Sequence, residues 1–165
     1  MGSEWDLGDG VRPDIMTLGK AISGGISPVS GIVANDHIMD HIKPGDHGST
    51  YGGNPFGMAV ARAAVSAIVE ENMVANSLEV GNYFSDKLRQ IKSPIIKEVR
   101  SRGLFIGLEF KTGHGIDGNI YARILKDNGI LTKATHDMTI RFTPALVITK
   151  PEIDTAMEII EDGVR

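Results

Sequence analysis

The stretch Ile15-Met16-Thr17-Leu18-Gly19-Lys20-Ala21-Ile22-Ser23-Gly24-Gly25 decides how this chain is read. Its first four residues are a short apolar run of strand composition. The run stops at Gly19-Lys20 and at the cluster Ser23-Gly24-Gly25. The pattern predicts a buried strand that delivers a lysine to its end, with a second strand over Val29 to Ala34. Taken alone, Lys20 reads as a solvated surface residue, as most lysines are. Held at an apolar strand end, the same amine would be desolvated, neutral and nucleophilic, which a Schiff base with a carbonyl cofactor requires. A Walker A phosphate loop is excluded, because its Gly and Ser/Thr positions hold Asp14 and Ala21.

Moving outward, Asp36 to Ile42 predicts one or two helical turns, stopped by Lys43-Pro44-Gly45. The loop His47-Gly48-Ser49-Thr50-Tyr51-Gly52-Gly53 then runs into Asn54-Pro55, a helix start with Asn as cap and Pro in the first turn. The helix predicted from Phe56 to Val69 has only Arg62 and Ser66 as polar residues, so it calls for cover on several sides. Ser49, Thr50 and the backbone N–H groups before that helix suit a phosphate. A simple capped connection fits the same residues.

The second half changes character. Val74, Leu78, Gly81, Phe84, Leu88 and Ile91 recur at helical spacing and predict an amphipathic helix over Met73 to Ile91. A strand Ile96 to Val99, a turn Ser101-Arg102-Gly103 and a strand Leu104 to Phe110 follow. Next come a helix from about Asn119 to Lys126 and strands Gly129 to Lys133 and Met138 to Phe142. A last helix starts at Pro151, with Ile153, Ala156, Met157 and Ile160 as its inner stripe. The change near residue 92 divides the chain into 1–92 and 93–165. Two short strands and one apolar helix cannot close a core. Either the second part covers them or, as the composition of that helix favours, the first part is a piece of something larger or an obligate oligomer.

Several motifs are weak. Gly113-His114-Gly115-Ile116-Asp117-Gly118 matches the dinucleotide fingerprint, but the helix after it is too short, and it reads as a surface turn. His37 and His41 lack the glutamate of a zinc-protease motif; they read as solvated, as do His47, His114 and His136. Arg141, in the apolar run Ile140 to Pro144, suits two-pronged capture of a carboxylate. An edge-strand surface arginine fits it too.

The 165 residues carry 17 Lys and Arg against 21 Asp and Glu, a net charge of −4, and no basic run, which argues against a nucleic-acid surface. The absence of cysteine excludes disulfides, thiol catalysis and thiolate-bound zinc, and no metal is expected. No apolar run reaches membrane-spanning length. Met1 to Gly10 is acidic and Gly-rich, unlike a targeting segment, which fits the cytoplasm or the mitochondrial matrix. Twenty glycines, clustered rather than periodic, point to backbone loops shaped around something.

In combination these features are more specific. Thr17 to Gly25 resembles the cofactor-lysine segment of class III (subgroup II) pyridoxal-phosphate aminotransferases, and Lys43 to Pro55 resembles that family's second signature. Gly19 to Gly25, Pro28-Val29-Ser30 and Thr139 to Ile148 look most like the branch that uses ornithine. The resemblance, from about Val11 to Ile160, implies an α/β fold: the C-terminal part of a fold type I pyridoxal-phosphate-dependent transferase. Residues 1–92 would end the large cofactor-binding domain, and 93–165 would be the small α+β C-terminal domain.

It also implies roles. Lys20 would hold pyridoxal 5'-phosphate as a Schiff base and then serve as acid and base; Ser49 and Thr50 would hold the phosphate, typically across a dimer interface. Arg141 would bind the carboxylate of 2-oxoglutarate or glutamate. The implied reaction moves the δ-amino group of ornithine to 2-oxoglutarate, in a homodimer or with a complementary chain. Family members are longer, so the aspartate facing the pyridine nitrogen and the ring-stacking aromatic are expected in the part N-terminal to Lys20. Alternatives are an acetylornithine or other omega-aminotransferase, a truncated non-catalytic fragment that binds a partner chain, and a phosphate-binding module.

Overall fold

In the computed structural model, residues 12–164 are described; Met1 to Val11, including the acidic opening, and Arg165 lie outside the described residues. Strand β1 (Ile15–Leu18) pairs antiparallel with β2 (Gly31–Ala34), Ile15 facing Ala34 and Leu18 facing Gly31. Between them a single 3₁₀ turn, Lys20–Ser23, ends in left-handed Gly24. A short helix α1 (Asp36–Met39) and a long loop lead to α2 (Pro55–Glu70). The expected cap is present: the Gly57 N–H donates to Asn54 Oδ1 at 2.7 Å.

The residues from α3 onward form a different kind of body. Helix α3 (Met73–Gln90) precedes β3 (Ile96–Arg102), β4 (Phe105–Phe110), α4 (Gly118–Asp127), β5 (Lys133–Thr135), β6 (Thr139–Phe142) and α5 (Lys150–Asp162). The four strands form one antiparallel sheet in the order β3-β4-β6-β5. Strand alternation sets its two faces. Ile106, Leu108 and Phe110 of β4, with Ile140 and Phe142 of β6, are buried among Val80, Phe84 and Leu88 of α3, Tyr121 and Leu125 of α4, and Ile153, Met157 and Ile160 of α5. Phe105, Gly107 and Glu109 lie on the opposite face. Tyr121 is tied in twice, its hydroxyl donating to the Ile160 carbonyl at 2.6 Å and its ring edge-on to Phe110.

The chain divides into two compact units between Val69 and Glu70, earlier than the change of character near residue 92. The physical reason is α3, whose Val80, Phe84 and Leu88 belong to the second unit's core. Within α3 the buried face is Val80, Gly81, Phe84, Ser85 and Leu88, while Val74 and Leu78, read as part of the stripe, are exposed. The strand expected over Gly129 to Lys133 is displaced to Lys133–Thr135. Its first residues instead close α4: left-handed Gly129 donates to the Lys126 carbonyl and Ile130 to that of Leu125, the two bonds of a Schellman motif. At the start of α5, Thr149 and Glu152 form a capping box that spans Lys150 and Pro151.

In the first unit, the only buried described residues are Ser23 and Gly57. Phe56 and Val69 on α2 are 65% and 74% exposed, so the cover its composition calls for is missing among the described residues. No described helix is long and apolar enough to cross a membrane.

On the outer face of the sheet, Glu109 pairs with Lys97 at 2.6 Å and with Arg100, and Arg100 also reaches Glu98 at 2.7 Å. These cations hold the Glu109 carboxyl at about 2, below its ordinary value of 4.5. A depressed acid stabilises the fold fully above its unfolded value and loses that contribution as pH falls through the folded one. Melting temperature should therefore drop between about pH 4.5 and 2, and Glu109→Gln should flatten that slope. An identical pH profile in Glu109→Gln would show that the cluster contributes nothing to folding.

Candidate active site

Lys20 stands directly after β1 and Gly19, at the first position of the 3₁₀ turn. Its backbone is left-handed, φ +52°, a conformation that favours glycine. The turn is fastened beneath it: Ser23 is fully buried and donates its hydroxyl to the Ser27 carbonyl, and a Cβ on Gly24 would lie 3.6 Å from Ala64 Cβ of α2. Lys20 itself is exposed, so the desolvation expected of its strand end is not supplied by the described residues.

Ser49 and Thr50 are exposed in the loop that enters α2. Ser49 Oγ accepts from the Gly52 N–H at 2.9 Å, which folds the loop back and leaves the hydroxyl proton free to donate. Asn54 Nδ2 donates to the Tyr51 carbonyl at 2.7 Å, joining this loop to the helix start. The donors match the chemistry of a phosphate. The loop enters at Asn54, however, and the Lys20 turn packs at Ala64, ten residues on, about 15 Å along the helix axis.

Arg141 lies in the second unit, on β6. The edge-strand reading is corrected here: β6 runs between β4 and β5, with Arg141 facing Gly107 on one side and Lys133 on the other. Its backbone carbonyl accepts from Thr132 Oγ1 at 2.8 Å. Its Nε is buried with no hydrogen-bond partner, an uncommon state for a charged group that normally calls for a ligand or a missing neighbour. A cavity of about 460 Å³ opens on this face, bordered by Arg100, Phe105, Gly107 and His136 beside Arg141. Sequence reasoning missed Arg100, Gly107 and Glu109; the signal available was a glycine inside a strand, which often marks close approach of another group.

The Gly113–Gly118 motif has a structural explanation. Asp117 caps α4 through Asn119 and Ile120 N–H groups at 2.7 and 2.8 Å, and a Cβ on Gly118 would meet the Asp137 carbonyl at 2.8 Å. The glycine serves helix packing against β5 and β6. All five histidines are exposed, and among the described residues no group of His, Asp and Glu is arranged to hold a metal.

The profile of the family described as Aminotransferase class-III matches residues 2–164. The chain belongs to that family. Within it, the chain is 55% identical to an ornithine aminotransferase of Oceanobacillus iheyensis over 96% of its own length, and 48% identical to one of Staphylococcus carnosus over the same share. It spans only 38% of each of those relatives. An ornithine delta-aminotransferase structure from Plasmodium falciparum matches with a TM-score of 0.88 and 41% identity, over 94% of this chain and 40% of that one. An acetylornithine aminotransferase from Elizabethkingia anophelis matches equally well, at 0.88 and 41%, over 93% of this chain and 41% of that one. The fold is thus that of part of a class III aminotransferase, α/β with antiparallel sheets among the described residues.

Proposed function

We propose that the chain is the portion of a class III aminotransferase that carries the cofactor lysine, and that the enzyme moves the δ-amino group of ornithine to 2-oxoglutarate. The observation that carries the reading is the 55% identity to an ornithine aminotransferase along nearly the whole chain. Residues 1–92 then comprise the end of the cofactor-binding domain and the linking helices, of which α3 packs in the second unit's core, and 93–165 make the small domain. Lys20 is the residue that holds pyridoxal 5'-phosphate, and Ser49 and Thr50 hold its phosphate. The group supplies an electron sink for the substrate carbon that loses a proton.

What the chain's own residues do follows from their placement. Lys20 Nζ, exposed at the first position of a fastened turn, would hold the carbonyl group and carry a proton to and from the reacting carbon. Arg141 presents a guanidinium whose buried Nε lacks a partner, which a substrate carboxylate would satisfy with a charge-assisted bond. The separation along α2 between the phosphate loop and the Lys20 turn supports a homodimer in which each copy's loop serves the other copy's lysine.

The test is spectroscopic. Bound pyridoxal 5'-phosphate should show an absorbance band that ornithine changes and 2-oxoglutarate restores. A response to acetylornithine with none to ornithine would reassign the donor. No response to either, from protein that binds the cofactor, would reduce the chain to a non-catalytic module.

A further inference from the structure

On the outer face of the second unit's sheet, the register sets Arg100, Gly107, Arg141 and Lys133 in one row across all four strands. Arg100 and Arg141 flank Gly107 at one strand spacing on either side, so their backbones stand about 10 Å apart with no side chain between them. Glycine in a strand interior costs roughly 0.5–1 kcal/mol relative to alanine, so its presence needs a reason.

The fold supplies none. The Gly107 backbone is not among those with positive φ, so any residue could adopt it. A Cβ built there would meet only Thr139 Cγ2, at 3.6 Å, an ordinary contact. This sets Gly107 apart from Gly81 and Gly118, where a Cβ would run into backbone. What the missing side chain does is keep open the trough beside Arg141. The cavity of about 460 Å³ lies over it, within the size range of small-molecule sites. Among the arginines that line it, Arg100 is committed to Glu98 and Glu109, whereas Arg141 has a buried donor unused.

We propose that Gly107 is a specificity-determining residue: by leaving the strip between Arg100 and Arg141 bare, it makes room for the carbon chain of a dicarboxylate whose acid group Arg141 holds. The inference rests on the reading of Arg141 as the carboxylate-binding residue. A side chain at position 107 fills the trough without touching the guanidinium's charge.

The experiment titrates the unmodified chain and three variants with glutarate, an unreactive five-carbon dicarboxylate, following the backbone amides of residues 107 and 141 by NMR. Melts are run in parallel. Gly107→Leu should weaken glutarate by at least about tenfold, or about 1.4 kcal/mol, and Gly107→Ala by a smaller factor, with no fall in melting temperature for Gly107→Ala. Loss of binding in Arg141→Lys beside unchanged binding in both Gly107 variants would overturn the role of Gly107 and leave that of Arg141 standing. Full binding in Arg141→Lys, or no saturable binding by the unmodified chain, would overturn both. If Gly107→Leu fails to fold, Gly107→Ala decides: a sharply lowered melt there makes the glycine a packing requirement and ends the proposal.

Discussion

Gly81→Ala should unfold the second unit or bring it close to unfolding. A Cβ at position 81 would lie 2.1 Å from the Gly103 carbonyl carbon and 2.3 Å from its oxygen, distances no rotamer can relieve because both partners are backbone. Gly103 cannot retreat easily. It sits at φ +53° in the turn joining β3 to β4, and the neighbouring Leu104 N–H donates to Ser77 Oγ of α3 at 3.2 Å. Leu104 is itself core, 3% exposed. Pushing the turn off the helix therefore breaks a hydrogen bond, exposes a leucine and parts α3 from the sheet at once. Overpacking commonly costs about 1–3 kcal/mol; with backbone on both sides, more than about 3 kcal/mol is expected here, against a total of roughly 5–15. Urea denaturation checks it, with Gly107→Ala, which fits its space, as the control. Equal midpoints for Gly81→Ala and the control would mean that α3 and the β3–β4 turn do not pack as described.

The same pair of glycines shows where the sequence is legible and where it is not. The recurrence Gly81-Phe84-Leu88 reads at once as a helix face, because apolar spacing is local. That Gly81 is the contact point of two backbones depends on residue 103, and nothing local announces it. Apolar runs mislead for a related reason. Ile130 and Leu131 look like strand residues, yet Ile130 closes the Schellman motif after α4 and Leu131 is 85% exposed, so the strand begins only at Lys133. Val74 and Leu78 fit the helical stripe, yet both are exposed, and the buried apolar face of α3 starts only at Val80. For the candidate site, Lys20, Ser49, Thr50 and Arg141 each have an ordinary reading alone, and stand out in sequence only through the order in which their motifs occur. Gly107 stays hidden, since its meaning is the register that sets it between two arginines.

Replacing Lys20 separates function from folding. Its side chain is exposed, so its loss should remove no packing, while its backbone at φ +52° disfavours every residue but glycine and, to a lesser degree, asparagine or aspartate. Left-handed backbone costs about 1–2 kcal/mol for an ordinary residue, and such strain persists chiefly where function holds it in place. Lys20→Gly should thus raise the stability of the first unit by about 1 kcal/mol, and Lys20→Ala should leave it unchanged. Both should abolish the covalent label left when bound pyridoxal 5'-phosphate is reduced with borohydride, and both should lower transamination by at least about a thousandfold, since in the proposed role the amine that would hold the cofactor would also carry the proton. Peptide mapping of the unmodified chain should find the label on Lys20 alone. A label spread over Lys43 and Lys87, or a Lys20→Gly protein that keeps its turnover, would remove Lys20 from the chemistry and leave its strained backbone without a purpose.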